Sequence, residues 1–133
     1  MIDPNQFQVN DAWIAFQLND GPIHTEADGD FNCLALLDVA SCFILSMSNV
    51  PITQTEPSNA EVQQMLKDSY SHKRQLPKTL YIPSDQPADN LTFEAELKKV
   101  NVVRVPEDQL LLCIGDARES FKEYFLGGGS RWN

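Results

Sequence analysis

Residues 34–51 read LALLDVASCFILSMSNVP, two apolar arms around a short polar link. In the second arm Phe43, Leu45 and Met47 alternate with Ile44, Ser46 and Ser48, and Asn49-Val50-Pro51 closes it. Side chains alternating at period two stand on opposite faces of a sheet, so the stretch predicts a β-hairpin. A single helix is the competing reading, because Leu, Ala and Ser dominate. The predicted arms are 33–37 and 43–50, with DVAS (38–41) between them. Asp38 is then a turn residue, where a carboxylate accepts hydrogen bonds from nearby backbone N–H groups.

The hairpin sets the order of everything around it. Residues 1–11 read as an irregular lead-in, and WIAFQL (13–18) as a short buried strand. NDGPIHTEADGD (19–30) carries two Asp-Gly pairs and a proline, which is turn chemistry with room for an extended PIHTE. After the hairpin, Ser58 and Glu61 form a capping box, in which hydroxyl and carboxylate each satisfy an orphan backbone N–H. Val62, Met65, Leu66 and Tyr70 then mark one apolar helix face. TLYIP (79–83) predicts a strand that ends at a proline. Asp89 or Asn90 is placed to cap a helix whose apolar positions are Phe93, Leu97 and Val100. VNVVRVP (100–106) is another strand. EDQLLLCIGDARESFKEYF (107–125) predicts a helix with Glu107 and Asp108 suiting the dipole of its first turn. Gly115 weakens its middle by about 1 kcal/mol relative to Ala and is expected to split it in two. The remaining residues, 127–133, read as a flexible Gly-rich tail. Trp132, with Phe125 and Leu126, makes either an apolar patch for a partner or a tail that docks on its own domain.

A chain of 133 residues, 42% of them apolar, suits one domain, 1–133, with a single core. No apolar run is long enough to span a membrane, and the N-terminus lacks the pattern of a signal peptide. Cys33, Cys42 and Cys113 form no CxxC pair, so they read as buried apolar residues of a reducing, cytoplasmic protein. With two histidines and scattered cysteines, no zinc-ligand spacing exists. The net charge of −9 argues against tracking a phosphate backbone. The one basic cluster, SHKRQLPK (71–78), reads as a solvated helix end rather than a phosphate site.

Three or so antiparallel strands, then helix, strand, helix, strand, helix is the succession of ribonuclease-H-like proteins. The chain also resembles, over roughly 13–106, the catalytic core of retroviral integrases and transposases. DAWIAFQLND is similar to that family's first strand with its W-x-x-D start. DVASCFILSMSNVP looks like its second-to-third-strand hairpin, and LPKTLYIPSDQPADN like the element that ends in the second acid. FEAELKKVNVVRV matches the helix and fifth strand that follow. The resemblance implies an α/β fold: a mixed five-stranded sheet with flanking helices, antiparallel strands first and then β-α-β-α. It also implies an activity in which two or three carboxylates hold Mg²⁺ or Mn²⁺ for phosphoryl transfer.

Carried over residue by residue, the implied site departs from the pattern. Three residues past Trp13 stands Phe16, which cannot ligate a metal. Asp20 could take its place only with a shifted register. Asp85 matches the second acid and is the candidate metal ligand, but Gln86 and Pro87 follow it where the family has glycine. The last helix offers Asp116 and Glu119 for the third acid. Asp85 also has a plain reading as a loop or cap residue, and Asp116 and Glu119 as residues of a solvated helix face. His24 reads as loop decoration, Cys42 and Cys113 as packing, and Ser41 and Ser84 lack a GxSxG elbow. The sequence therefore points first to a non-catalytic ribonuclease-H-like domain acting as an interaction or regulatory module, with a protein partner or self-association and no cofactor. A metal-dependent nuclease or phosphotransferase built on Asp20, Asp85 and Asp116 or Glu119 is the second reading. A small-molecule-binding α/β domain is the third.

Overall fold

The computed structural model describes residues 1–26 and 29–126. Five strands form one sheet: β1 (Ala12–Gln17), β2 (Phe31–Asp38), β3 (Ile44–Pro51), β4 (Thr79–Pro83) and β5 (Asn101–Val105). Their order across the sheet is β3-β2-β1-β4-β5. The first three pair antiparallel, and β4 pairs parallel with β1 and with β5. The parallel pairs need crossovers, supplied by α1 (Asn59–Lys73) and α2 (Asp89–Leu97). A 3-10 turn over Glu107–Leu110 leads into the last helix, α3 (Leu111–Leu126).

Both faces of the sheet are covered, and β1 lies in the middle. Trp13 and Ala15 of β1 pack with Leu34, Leu36, Leu80 and Ile82 under Val62, Met65 and Leu66 of α1 and Leu91 and Ala95 of α2. Ile14 and Phe16 face the other way, with Ala35 and Leu37, against Leu110 of the 3-10 turn and Cys113 and Ile114 of α3. A strand buried on both faces reads as a continuous apolar run, which is what WIAF is.

The hairpin forms as the alternation predicts, with a bulge between Leu36 and Leu37. Asp38 is fully buried at its turn. Its carboxylate accepts from the Asn10 N–H (2.7 Å), the Ser41 N–H (3.0 Å) and the Ser41 hydroxyl (2.7 Å). Asn10 in turn accepts from the Trp13 indole N–H and donates to the carbonyl of Gln75. The lead-in thus clasps the hairpin turn to the loop before β4, and it contains a 3-10 turn over Pro4–Gln6.

Local readings fail where tertiary contacts override them. The Ser58–Glu61 capping box is formed as predicted. In α1 Val62, Met65 and Leu66 are buried, but Tyr70 is exposed and Ser69 takes the buried place beside it. Neither Asp89 nor Asn90 caps α2, whose N-cap is Ala88. A carboxylate from a distant loop does so instead: Glu56 accepts the Asn90 N–H at 2.7 Å. The buried face of α2 is Leu91, Glu94 and Ala95, whereas Phe93 and Leu97 are 56% and 63% exposed. Glu94 is tolerated there because Asn59 and Gln63 of α1 donate to its carboxylate. Gly115 does not break α3; the change from 3-10 to α geometry falls at Leu110–Leu111. Cys42 sits in the hairpin turn with φ +57° and is half-buried, unlike the buried Cys33 and Cys113. The patch expected of Trp132, Phe125 and Leu126 and the 127–133 tail lie outside the described side chains and residues.

Candidate functional site

A polar cleft of about 290 Å³ opens beyond the carboxyl ends of the neighbouring parallel strands β1 and β4. Crevices at that end of an open α/β sheet are the usual place for a ligand. Gln17 and Asn19 line it from the end of β1, Asp20 and Asp85 from the loops that follow β1 and β4, and Glu107 and Arg118 from the α3 side. The β1 exit is held by buried Asn19, which accepts the Cys33 N–H (2.7 Å) and donates to the Asn32 side chain (3.0 Å). The β4 exit is held by Arg104, whose guanidinium donates to the carbonyls of Pro83 and Gln86.

The α3 side of this cleft carries a cation. Arg118 donates from Nε and Nη2 to the Gln17 carbonyl at 3.1 and 2.8 Å, and from Nη2 to Glu107 Oε1 at 2.7 Å. Its guanidinium carbon lies 5.7 Å from the centroid of the Phe16 ring, which is fully buried beneath it. A guanidinium over an aromatic face is attracted by the ring's quadrupole. The hydrogen bond from Arg118 holds the Glu107 carboxyl below its ordinary pKa, more than its modest burial raises it.

The candidate acids separate into different environments. Asp20 and Asp85 share the cleft, both exposed. Asp116 instead borders an apolar groove of about 700 Å³ between α3 and the β2–β3 hairpin, and Glu119 is exposed on α3. Phe16 pairs with Ala35 in an unbroken register through Gln17, so no shift brings Asp20 onto the strand. Among the described residues, no three His, Cys, Asp or Glu side chains gather closely enough to hold a metal ion. A hard divalent cation needs converging oxygens. Here β1 offers a ring and α3 offers a like charge, so these residues do not fit Mg²⁺ or Mn²⁺.

The remaining candidates have structural roles. His24 Nδ1 lies 2.8 Å from Asp30 in an exposed loop. His72 packs edge-on against Phe43. Burial pushes the Cys33 and Cys113 thiols up to about 11, so neither is a thiolate near neutrality.

The sequence reading names only acids, Asp116 and Glu119, on the last helix and does not single out Arg118. One signal was present: Arg118 stands four residues after the buried Ile114, so it returns to the sheet-facing side. Asp116 and Glu119 flank it at angles that turn them away.

The strand order, the split between antiparallel and parallel pairing, and the helices on both faces make this a ribonuclease-H-like fold, the fold of integrase catalytic cores. Among solved structures, the trimeric form of the HTLV-2 integrase catalytic core domain in complex with magnesium is similar, with a TM-score of 0.52 and 10% identity over 86% of this chain and 84% of that one. A chain of the simian T-cell lymphotropic virus intasome in complex with PP2A regulatory subunit B56 gamma matches with a TM-score of 0.50 and 10% identity. That match covers 91% of this chain, which spans 43% of the longer one. No protein-family model and no curated protein matches this sequence.

Proposed function

We propose that this chain is a ribonuclease-H-like domain without metal-dependent nuclease chemistry, serving as an interaction or regulatory module. The observation that carries the reading is Arg118 lying over Phe16, where the resemblance places its metal-binding carboxylates. A fixed guanidinium repels a divalent cation at short range, and in a partly buried cleft that repulsion is stronger than in water. Asp20 and Asp85 can still draw loosely bound cations, as exposed carboxylates do, without the fixed geometry that phosphoryl transfer needs. The net charge of −9 supports a protein partner over a nucleic acid.

Calorimetric titration with Mn²⁺ tests this directly. Wild type is expected to show no saturable binding, and Asp85→Asn to behave the same. Saturable binding that Asp85→Asn abolishes, together with Mn²⁺-dependent cleavage of single- or double-stranded DNA, would establish the rearranged acidic site and overturn the reading.

A further inference from the structure

The two edges of the sheet differ in a way that matters for association. β5, at one edge, carries Arg104, and the exposed Lys98 and Lys99 precede it. β3, at the other, is eight residues long, ILSMSNVP, without a single charge. Proteins guard exposed edges with charges, especially lysine, because unpaired N–H and C=O groups there template a further strand. In a chain of net charge −9, an unguarded strand of that length is conspicuous. Among the described residues β3 pairs only with β2.

The phase of the ladder says which groups are free. The Ile52 N–H bonds to the Asp30 carbonyl, so pairs two residues apart along the hairpin, Val50 with Asn32 and Ser48 with Leu34, exchange bonds inward. Met47 and Asn49 therefore turn their N–H and C=O groups outward. Pro51, which has no N–H, falls in the same outward phase, where none is needed for the ladder. Beside this edge the surface is apolar: Met47 is 55% exposed and Phe43 50%, and with Ile44 they border the groove whose far wall is α3.

We propose that two copies of this chain associate through their β3 edges, antiparallel about a two-fold axis. An isologous contact requires only that a surface complement itself. An antiparallel β3–β3′ pair meets that requirement. Each outward N–H meets a C=O, Met47 stands next to Asn49 of the other copy when the axis passes Ser48, and no like charges face each other. The two grooves then lie on the same face of a continuous ten-stranded sheet, ten being twice the five strands of one copy. This contact supplies an interaction for the module reading, yet it does not depend on the cleft at Arg118. A metal titration can sink one proposal and leave the other standing.

Sedimentation equilibrium of the full chain over a wide concentration range is the test. Apparent mass is expected to rise from monomer to twice that value and stop there. Met47→Lys, at a half-exposed position that leaves folding intact by circular dichroism, is expected to weaken association at least tenfold. Asn49→Pro, which removes an outward N–H, is expected to do the same. Hydrogen exchange is expected to slow at Met47 and Asn49 with rising concentration. A monomer at every concentration would overturn the proposal, as would a dimer that both variants leave unchanged. So would a monomer that dimerises only after residues 127–133 are removed, which would assign the edge to the chain's own tail.

Discussion

Replacing Arg118 by Met keeps most of the side-chain stem and removes only the guanidinium. Three interactions go with it. The bonds to the Gln17 carbonyl are charge-assisted and come from a side chain only 22% exposed; such bonds contribute about 1.5–3 kcal/mol. The stack on Phe16 adds about 0.5–1 kcal/mol. Glu107 is 44% exposed, so solvent screens its ion pair to about 0.2–1 kcal/mol. These terms share one group and do not add fully, and Met recovers some packing, so the expected loss is about 2 kcal/mol. For a domain of this size that lowers Tm by about 6–10 °C. The pH dependence has a definite sign. Glu107 has a lowered pKa in the folded protein, so its contribution is complete above the unfolded value of 4.5 and fades as pH falls through the lower folded value. The gap between wild type and Arg118→Met is therefore widest near neutrality and narrows below about pH 4.5. Urea denaturation at pH 7 and pH 4 measures both points. A loss under about 0.5 kcal/mol at pH 7, or a gap that grows on acidification, would refute the idea that this cation fastens α3 to β1.

Three other substitutions or probes test the fold around the site. Asp38→Ala strands three donors that the buried carboxylate now satisfies, and is expected to cost about 3–5 kcal/mol in urea denaturation; a cost below about 1 kcal/mol would show that water replaces it readily. In α2, Leu91→Ala is expected to cost about 2–5 kcal/mol, while Phe93→Ser and Leu97→Ser stay within about 0.5 kcal/mol; the reverse ranking would mean the helix presents its other face to the sheet. Thiol titration of the native protein at pH 8 is expected to label Cys42 slowly and to spare Cys33 and Cys113, whose pKa values near 11 come from burial; three equally reactive thiols would contradict that burial.

Much of the fold was legible because its signals are local. The hairpin, the capping box at Ser58 and the strand at Thr79–Pro83 each rest on residues adjacent in sequence. The errors arose where a distant group replaced a local one. Glu56 caps α2 from 34 residues away, which removes any demand on Asp89. Phe93 and Leu97 satisfied the spacing of a buried face, yet Leu91 and Ala95 satisfy it equally, and only the position of the sheet chooses between the two. Gly115 stays helical because α3 docks on the sheet through Cys113 and Ile114 on one side of it and Phe121 on the other. Packing of that face outweighs a propensity penalty of about 1 kcal/mol.

The site was half legible for a related reason. Phe16 could be placed because it lies a fixed three residues after Trp13 on a strand both of whose faces are buried. Its partner could not, because the resemblance implies an acid on the last helix and this helix presents a base. The arrangement also has an internal logic. Converging carboxylates repel one another and need a metal to hold them together. Phe16 adds no charge at the end of β1 and presents a ring there, over which the Arg118 guanidinium lies. That single cation is then matched by one acid, Glu107, and by the Gln17 carbonyl. The junction between β1 and α3 is thus closed by the chain's own groups.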